Sequence, residues 1–207
     1  SIKKGFKLIE IDLLETKDKA FIGAHDWKSF DKITRNKNKD YLLKNLEELK
    51  IFERYNILTT NEINKIFINN NDIFLITDKT ENFKKLNSDF QSIKKRMIVE
   101  IFSKERFKDA VKEKIYNPMY KYNTGDYKFV VRNNIKIVSA SIKQILKNKQ
   151  EFEKLIKKKI YVFAYTSSED KIINKYNGKL FTHIYTDFWD LKQMRCSVKK
   201  IDLCKTY

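Results

Sequence analysis

Glu10 and Asp12 stand two residues apart in the apolar run FKLIEIDLL, residues 6 to 14. Carboxylates set among Ile and Leu are costly unless a positive group meets them. In a strand the side chains alternate, so Phe6, Leu8, Glu10, Asp12 and Leu14 share one side, with the two acids about 6 to 7 Å apart along it. Two like charges that close call for a cation between them. A second run, DIFLITDKT, ends in Asp78 and Lys79. Glu10, Asp12 and Asp78 form an all-oxygen donor set, which suits one divalent cation, Mg²⁺ or Ca²⁺, and not Zn²⁺. After the turn ETKDKA the chain runs back through AFIGAHDW, returning His25 toward the acids as a candidate general acid or base. Lys79 is placed to hold an anionic oxygen.

The elements that must position these groups are legible as a repeat. Apolar runs rich in Ile, Val, Phe and Tyr predict strands near 6–14, 72–77, 96–101, 115–119, 135–139, 160–165 and 181–187, with charged segments of helical period between them. The clearest helix begins at Thr59, where TTNE offers a capping box with Glu62; others are expected near 81–90, 104–114, 141–158 and 168–177. Strand and helix in alternation argue for a parallel sheet covered on its outer face. Seven strands are one short of a closed barrel, so the expected fold class is an α/β TIM (β/α)8 barrel whose first strand is absent from residues 1–207. SIKKG reads as the tail of a helix feeding the first visible strand. The expected organisation is a single domain over 1–207 lacking its native N-terminal strand and helix. With 4 Gly and 1 Pro there is no sign of a flexible linker. In this architecture active sites collect at the C-terminal mouth, where Glu10, Asp12 and Asp78 fall.

The formal charge of +17, from 44 basic and 27 acidic residues, favours anionic partners. Only six of the 44 are Arg, and the lysines are dispersed among Asn and Ile as AT-rich coding would leave them. Nucleic acid therefore ranks last among partners, whereas peripheral contact with an anionic membrane stays open. Cys196 and Cys204 match neither a zinc ribbon nor a redox pair and are expected to be free thiols. The sequence holds neither an 18-residue apolar run nor a signal peptide, so a soluble, cytoplasmic chain is expected, with export left open because the native start can precede Ser1.

E-x-D at Glu10 and Asp12, His25-Asp26 after it, LITDKT, RMIVEIFS, YNPMY and the closing IYTDFW together resemble the glycerophosphodiester phosphodiesterase family. That family is a metal-dependent branch of the TIM-barrel phosphodiesterases, related to phosphatidylinositol-specific phospholipase C, and the resemblance covers most of the chain. It implies a hydrolase of lipid metabolism acting on a glycerophosphodiester-like or lipid-derived phosphodiester. A neighbouring substrate hydroxyl attacks phosphorus while two histidines exchange protons. It further implies that Glu10 and Asp12 bind metal and that His25 is the second catalytic histidine. Asp78 stands where the family has a Glu, with Lys79 one residue on where the family has Lys two residues on. The family's first histidine, in a His-Arg-Gly motif, has no counterpart here. His183 does not replace it, because it lies four residues, about 13 Å, before the end of its strand.

Glu100 shares a strand face with Ile98 and Phe102 and is expected to face the mouth and pair with Lys79. Trp27, Tyr120, Tyr165, Phe188 and Trp189 fall at or after strand ends, mostly as packing. The expected substrate-binding set is Lys79, Glu100 and Trp27. The alternative function is a catalytically impaired barrel that binds anionic headgroups or a protein partner.

Overall fold

A computed structural model describes residues 1–80 and 82–197. In chain order the first elements are β1 (Leu8–Glu10), β2 (Leu13–Glu15), β3 (Phe21–Gly23), α1 (Trp27–Thr34), α2 (Leu43–Leu46), β4 (Lys50–Ile51), β5 (Tyr55–Asn56) and α3 (Thr60–Asn69). They are followed by β6 (Phe74–Thr77), α4 (Phe83–Asp89), β7 (Met97–Ile101), α5 (Lys104–Lys112), β8 (Asn117–Lys121), α6 (Tyr127–Arg132) and β9 (Ile137–Ser141). The remainder are α7 (Ile142–Lys147), α8 (Lys149–Lys157), β10 (Tyr161–Tyr165), α9 (Asp170–Tyr176), β11 (His183–Ile184), β12 (Trp189–Asp190) and β13 (Arg195–Cys196). Seven of the strands form one sheet in the order β1-β6-β7-β8-β9-β10-β11. The fold is α/β, and each of the seven predicted strands contributes to that sheet. The described residues fall into two compact units.

The unit of Lys7–Val99 and Lys108–Asn117 carries the E-x-D motif. Here β1 pairs in parallel with β6, Glu10 opposite Ile76, and β6 pairs in parallel with β7, Thr77 opposite Val99. Leu75, Ile76 and Thr77 are all buried, as expected of a parallel strand covered on both faces. The predicted single strand 6–14 is broken: β1 ends at Glu10, and Leu13–Glu15 leaves the sheet to pair antiparallel with β3. Helix α3 begins as expected at a capping box between Thr59 and Glu62 and buries Ile63 and Phe67. Arg96 meets the end of this helix and the turn beyond it, its guanidinium donating to the oxygens of Phe67 in the last turn, Asn70 at the cap and Ile73 before β6, at 2.8, 3.0 and 2.8 Å. A cation is the favoured partner for that end of a helix. A local core of Ile22, Phe30, Leu46 and Ile57, with Trp27 and Tyr41 packed against it, holds α1, α2 and the hairpins.

The unit of Ser1–Phe6, Glu100–Phe107 and the residues from Pro118 onward is built on β8, β9, β10 and β11, paired in parallel. Its core includes Val138, Ala140, Val162, Ala164, Ile145, Phe152 and Leu155. SIKKG is one short 3-10 turn, Ile2–Lys4, stopped by Gly5 at φ 89. The helix predicted over 141–158 is two helices broken at Asn148, whose φ and ψ of −122 and 42 leave the helical region. Cys196 is disulfide-bonded, which corrects the free-thiol expectation there; Cys204 lies outside the described residues.

Candidate active site

Glu10 is the last residue of β1, and the ladder runs one step further through Ile11, whose N–H donates to the Ile76 carbonyl at 2.9 Å. Since Glu10 opposes Ile76, a two-residue advance along both chains brings Asp12 level with Asp78. The result is one cluster: a carboxylate oxygen from each of Glu10, Asp12 and Asp78 lies within 4.8 Å of the others. The parallel register, rather than alternation along one continuous strand, assembles it. Glu10 is exposed and the other two are half-buried.

Two unit charges 4.8 Å apart repel by about 3.5 kcal/mol at an effective dielectric of about 20, and by less at exposed Glu10. Lys79 offsets part of this, its Nζ 3.9 Å from Asp78 Oδ2. The donor set fits a hard cation. Two oxygens on one ion stand no further apart than about twice the bond length, roughly 4.2 Å for Mg²⁺ and 4.6 to 5.2 Å for Ca²⁺, and three carboxylate oxygens that all lie within 4.8 Å of one another are near enough to converge on one such ion.

The hairpin of β2 and β3 returns the chain to the cluster. Gly23 N–H donates to the Leu58 carbonyl at 2.7 Å and Ala24 N–H to the carbonyl of Asp12 at 3.0 Å. The approach is close: a Cβ at Gly23 would stand 3.1 Å from Ile11 Cγ2 and 3.2 Å from Leu58 Cβ, so these neighbours would have to give by a few tenths of an ångström. His25 therefore follows directly on a residue bonded to Asp12. Its Nδ1 is 2.6 Å from Asp26 Oδ2. Asp26 also caps α1, accepting from Ser29 N at 2.7 Å and from Ser29 Oγ at 2.9 Å. The hydrogen bond from His25, followed by those from Ser29, holds the Asp26 carboxyl down to about 2. An ionised carboxylate only accepts, so Nδ1 carries the proton and Nε2 of neutral His25 is left as the basic nitrogen.

The orienting role of Asp26 was not among the expectations. Its signal is local: an Asp directly before a helix, three residues ahead of Ser29. A second missed element is Asn82, which donates to Glu15 Oε2 at 3.1 Å and accepts from Lys85 N at 3.4 Å, tying β2 to the start of α4. Asn82 follows the loop carrying Asp78 and Lys79, where Lys79 adopts φ 65.

Trp27 stacks on Tyr41, ring centroids 4.1 Å apart, and meets Phe30 edge-on at 5.8 Å. Glu100 accepts from Ser139 Oγ at 2.5 Å. Tyr165 has its hydroxyl pKa raised, first by burial and then by the charge of Glu100. His183 stacks on Phe163, centroids 4.3 Å apart and planes 15° off parallel, and burial lowers its pKa. It is a half-buried histidine packed on an aromatic ring.

No family model matches the chain, and no curated protein matches it by sequence. Solved structures do match in fold. A glycerophosphodiester phosphodiesterase from Parabacteroides distasonis superposes with a TM-score of 0.75 at 14% identity, over 93% of this chain and 83% of that one. One from Agrobacterium tumefaciens gives 0.70 at 13%, over 90% and 86%. A phosphodiesterase from Oleispira antarctica, solved with its product sn-glycerol-3-phosphate, gives 0.69 at 13%, over 89% and 82%.

Proposed function

We propose that this chain is a phosphoric diester hydrolase of the glycerophosphodiester phosphodiesterase type, with a single-domain TIM (β/α)8 architecture to which the seven-stranded sheet belongs. The observation that carries the reading is the convergence of Glu10, Asp12 and Asp78 within 4.8 Å at the C-terminal ends of two parallel strands. Fold likeness to glycerophosphodiester phosphodiesterases supports it, and the product seen in the Oleispira protein motivates a glycerophosphodiester substrate with a hydroxyl beside the phosphate.

Glu10, Asp12 and Asp78 would hold one divalent cation, Mg²⁺ or Ca²⁺, which when bound supplies Lewis-acid stabilisation of charge on a phosphoryl oxygen. His25 Nε2 takes the proton of the attacking substrate hydroxyl as its oxygen bonds to phosphorus, and returns a proton to the alkoxide released when the other P–O bond breaks, leaving a cyclic phosphodiester that water then opens to the phosphomonoester. Asp26 holds the ring in the tautomer that permits this and steadies the imidazolium. Lys79 binds a second phosphoryl oxygen, with Glu100 and Trp27 as the remaining substrate-binding candidates.

The deciding assay is release of alcohol from a glycerophosphodiester with Mg²⁺ or Ca²⁺, with chelator, and in His25→Ala. Turnover that vanishes with chelator and in the variant is the expected result. Tight binding of glycerol phosphate with no turnover would overturn the hydrolase in favour of a binding module.

A further inference from the structure

We propose that the β4–β5 hairpin docks on an anionic phospholipid surface, setting Phe52 and Tyr55 among the headgroups while Lys50, Arg54 and Arg35 meet lipid phosphates. The proposal does not rest on the hydrolase reading.

The first observation is a turn built against local rules. Arg54 N–H donates to the Ile51 carbonyl at 3.1 Å, and the two residues between them, Phe52 and Glu53, have φ of 50 and 58. Such a turn selects Asn-Gly, and a bulky side chain in the left-handed region is strained. The strain is fixed in place, because Phe52 N–H donates to the Ile33 carbonyl of α1 at 2.9 Å. Phe52 gains no burial in return. At 67% exposure it is the most exposed large apolar side chain among the described residues, and Tyr55 beside it is 53% exposed. Strain held without a packing gain points to a use outside the fold.

The second observation is the charge around this apolar tip. The Arg54 guanidinium lies 5.0 Å from the Tyr55 ring centroid. Arg35 pairs with Glu53, the acid in the turn, and Lys50 lies across from Asn56, donating to its Oδ1 at 2.5 Å. Glu47 and Glu48 precede Lys50, at the end of β4 away from the turn. Exposed aromatics ringed by Lys and Arg have the composition of a membrane interface, where rings sit at headgroup depth and cations meet acidic lipid. The chain's formal charge of +17 favours the same surface. Among the described residues no helix is long and apolar enough to cross a membrane, so this contact is peripheral. Two rings give reversible, salt-sensitive attachment.

The test is cosedimentation of the full chain with phosphatidylcholine vesicles, with and without phosphatidylserine, beside the double variant Phe52→Asn, Glu53→Gly. That variant installs the residues the turn prefers, so its Tm should hold or rise. It also removes an acid, so lost binding cannot be a loss of positive charge. Expected are binding only with phosphatidylserine, a drop of about tenfold or more in the double variant, and about fivefold in Arg54→Gln. Absence of binding by the wild-type chain overturns the proposal. Undiminished binding by the double variant also does, since dispersed lysines would then suffice. A variant that changes oligomeric state in sedimentation velocity overturns it in favour of a second copy as the occupant.

Discussion

Asp26 accepts from His25 Nδ1 at 2.6 Å and from the backbone N–H of Ser29 at 2.7 Å, so one carboxylate both starts α1 and orients the imidazole. Replacing it with Asn removes the charge while keeping the shape, and the amide can turn its donor toward His25 and select the other tautomer. Asp26→Asn should therefore lower kcat by about 10- to 100-fold with little change in KM. An unchanged kcat in steady-state assays would remove Asp26 from the proton-transfer machinery.

The same carboxylate links stability to acid pH. Its pKa is lowered from 3.8 to about 2, first by the His25 hydrogen bond. A depressed carboxyl pKa stabilises the fold at pH above the unfolded value, and the contribution is lost as pH falls through the folded value. Wild type should melt above Asp26→Asn at about pH 5, with the gap closing between about pH 4 and 2. Thermal melts of both proteins across that range check it.

Cation binding should appear as stability before any activity is measured. An ion present at about 100 times its Kd adds about 2.7 kcal/mol, which for a chain of this size raises Tm by roughly 5 to 10 °C. Mg²⁺ or Ca²⁺ titrated into the wild type should produce that shift, and Asp12→Asn or Asp78→Asn should abolish it. An equal shift in those variants would place the ion elsewhere.

What could be read from the residues, and what could not, divides along physical lines. The seven strands show because parallel strands buried on both faces leave dense Ile, Val and Phe runs, and Thr59 with Glu62 announces α3 through a cap. The break after Glu10 is invisible, because the alternation of Leu8, Glu10, Asp12 and Leu14 continues while the hydrogen-bonding partner changes from β6 to β3. Pattern records which side a residue faces, not which strand it pairs with. Helices α1, α2 and α6 were missed. The first follows His25 so closely that it read as loop, and the other two have four and six residues and no side-chain cap hydrogen bond. The β4–β5 turn was unreadable because Phe52 and Glu53 are not turn formers. The three acids were legible as a set from charge alone, whereas Asp26 needed the geometry of α1.

Arg96 is a structural cation rather than a ligand for phosphate. Its three hydrogen bonds, to the carbonyls of Phe67, Asn70 and Ile73, tie the end of α3 to the turn that leads into β6. Arg96→Ala leaves those acceptors to water and should cost roughly 2 to 3 kcal/mol. Chemical denaturation measures this, and Arg96→Lys, which cannot reproduce the planar fork, should recover less than half of it.

Gly23 connects packing to the acid cluster. A Cβ there would meet Ile11 Cγ2 at 3.1 Å and Leu58 Cβ and Cδ2 at 3.2 Å, and Ile11 is the residue between Glu10 and Asp12. Gly23→Ala gains from a less flexible unfolded chain but must push these neighbours by a few tenths of an ångström, so its net effect on stability should be small. Gly23→Val forces a larger displacement, expected to cost about 1 to 3 kcal/mol. Because Ile11 is what moves, the spacing of the flanking carboxylates moves with it, and the Tm rise on adding Mg²⁺ or Ca²⁺ should shrink in Gly23→Val beyond what lower stability explains. An undiminished ion response in a destabilised Gly23→Val protein would show that the hairpin supports the fold without setting the geometry of Glu10 and Asp12.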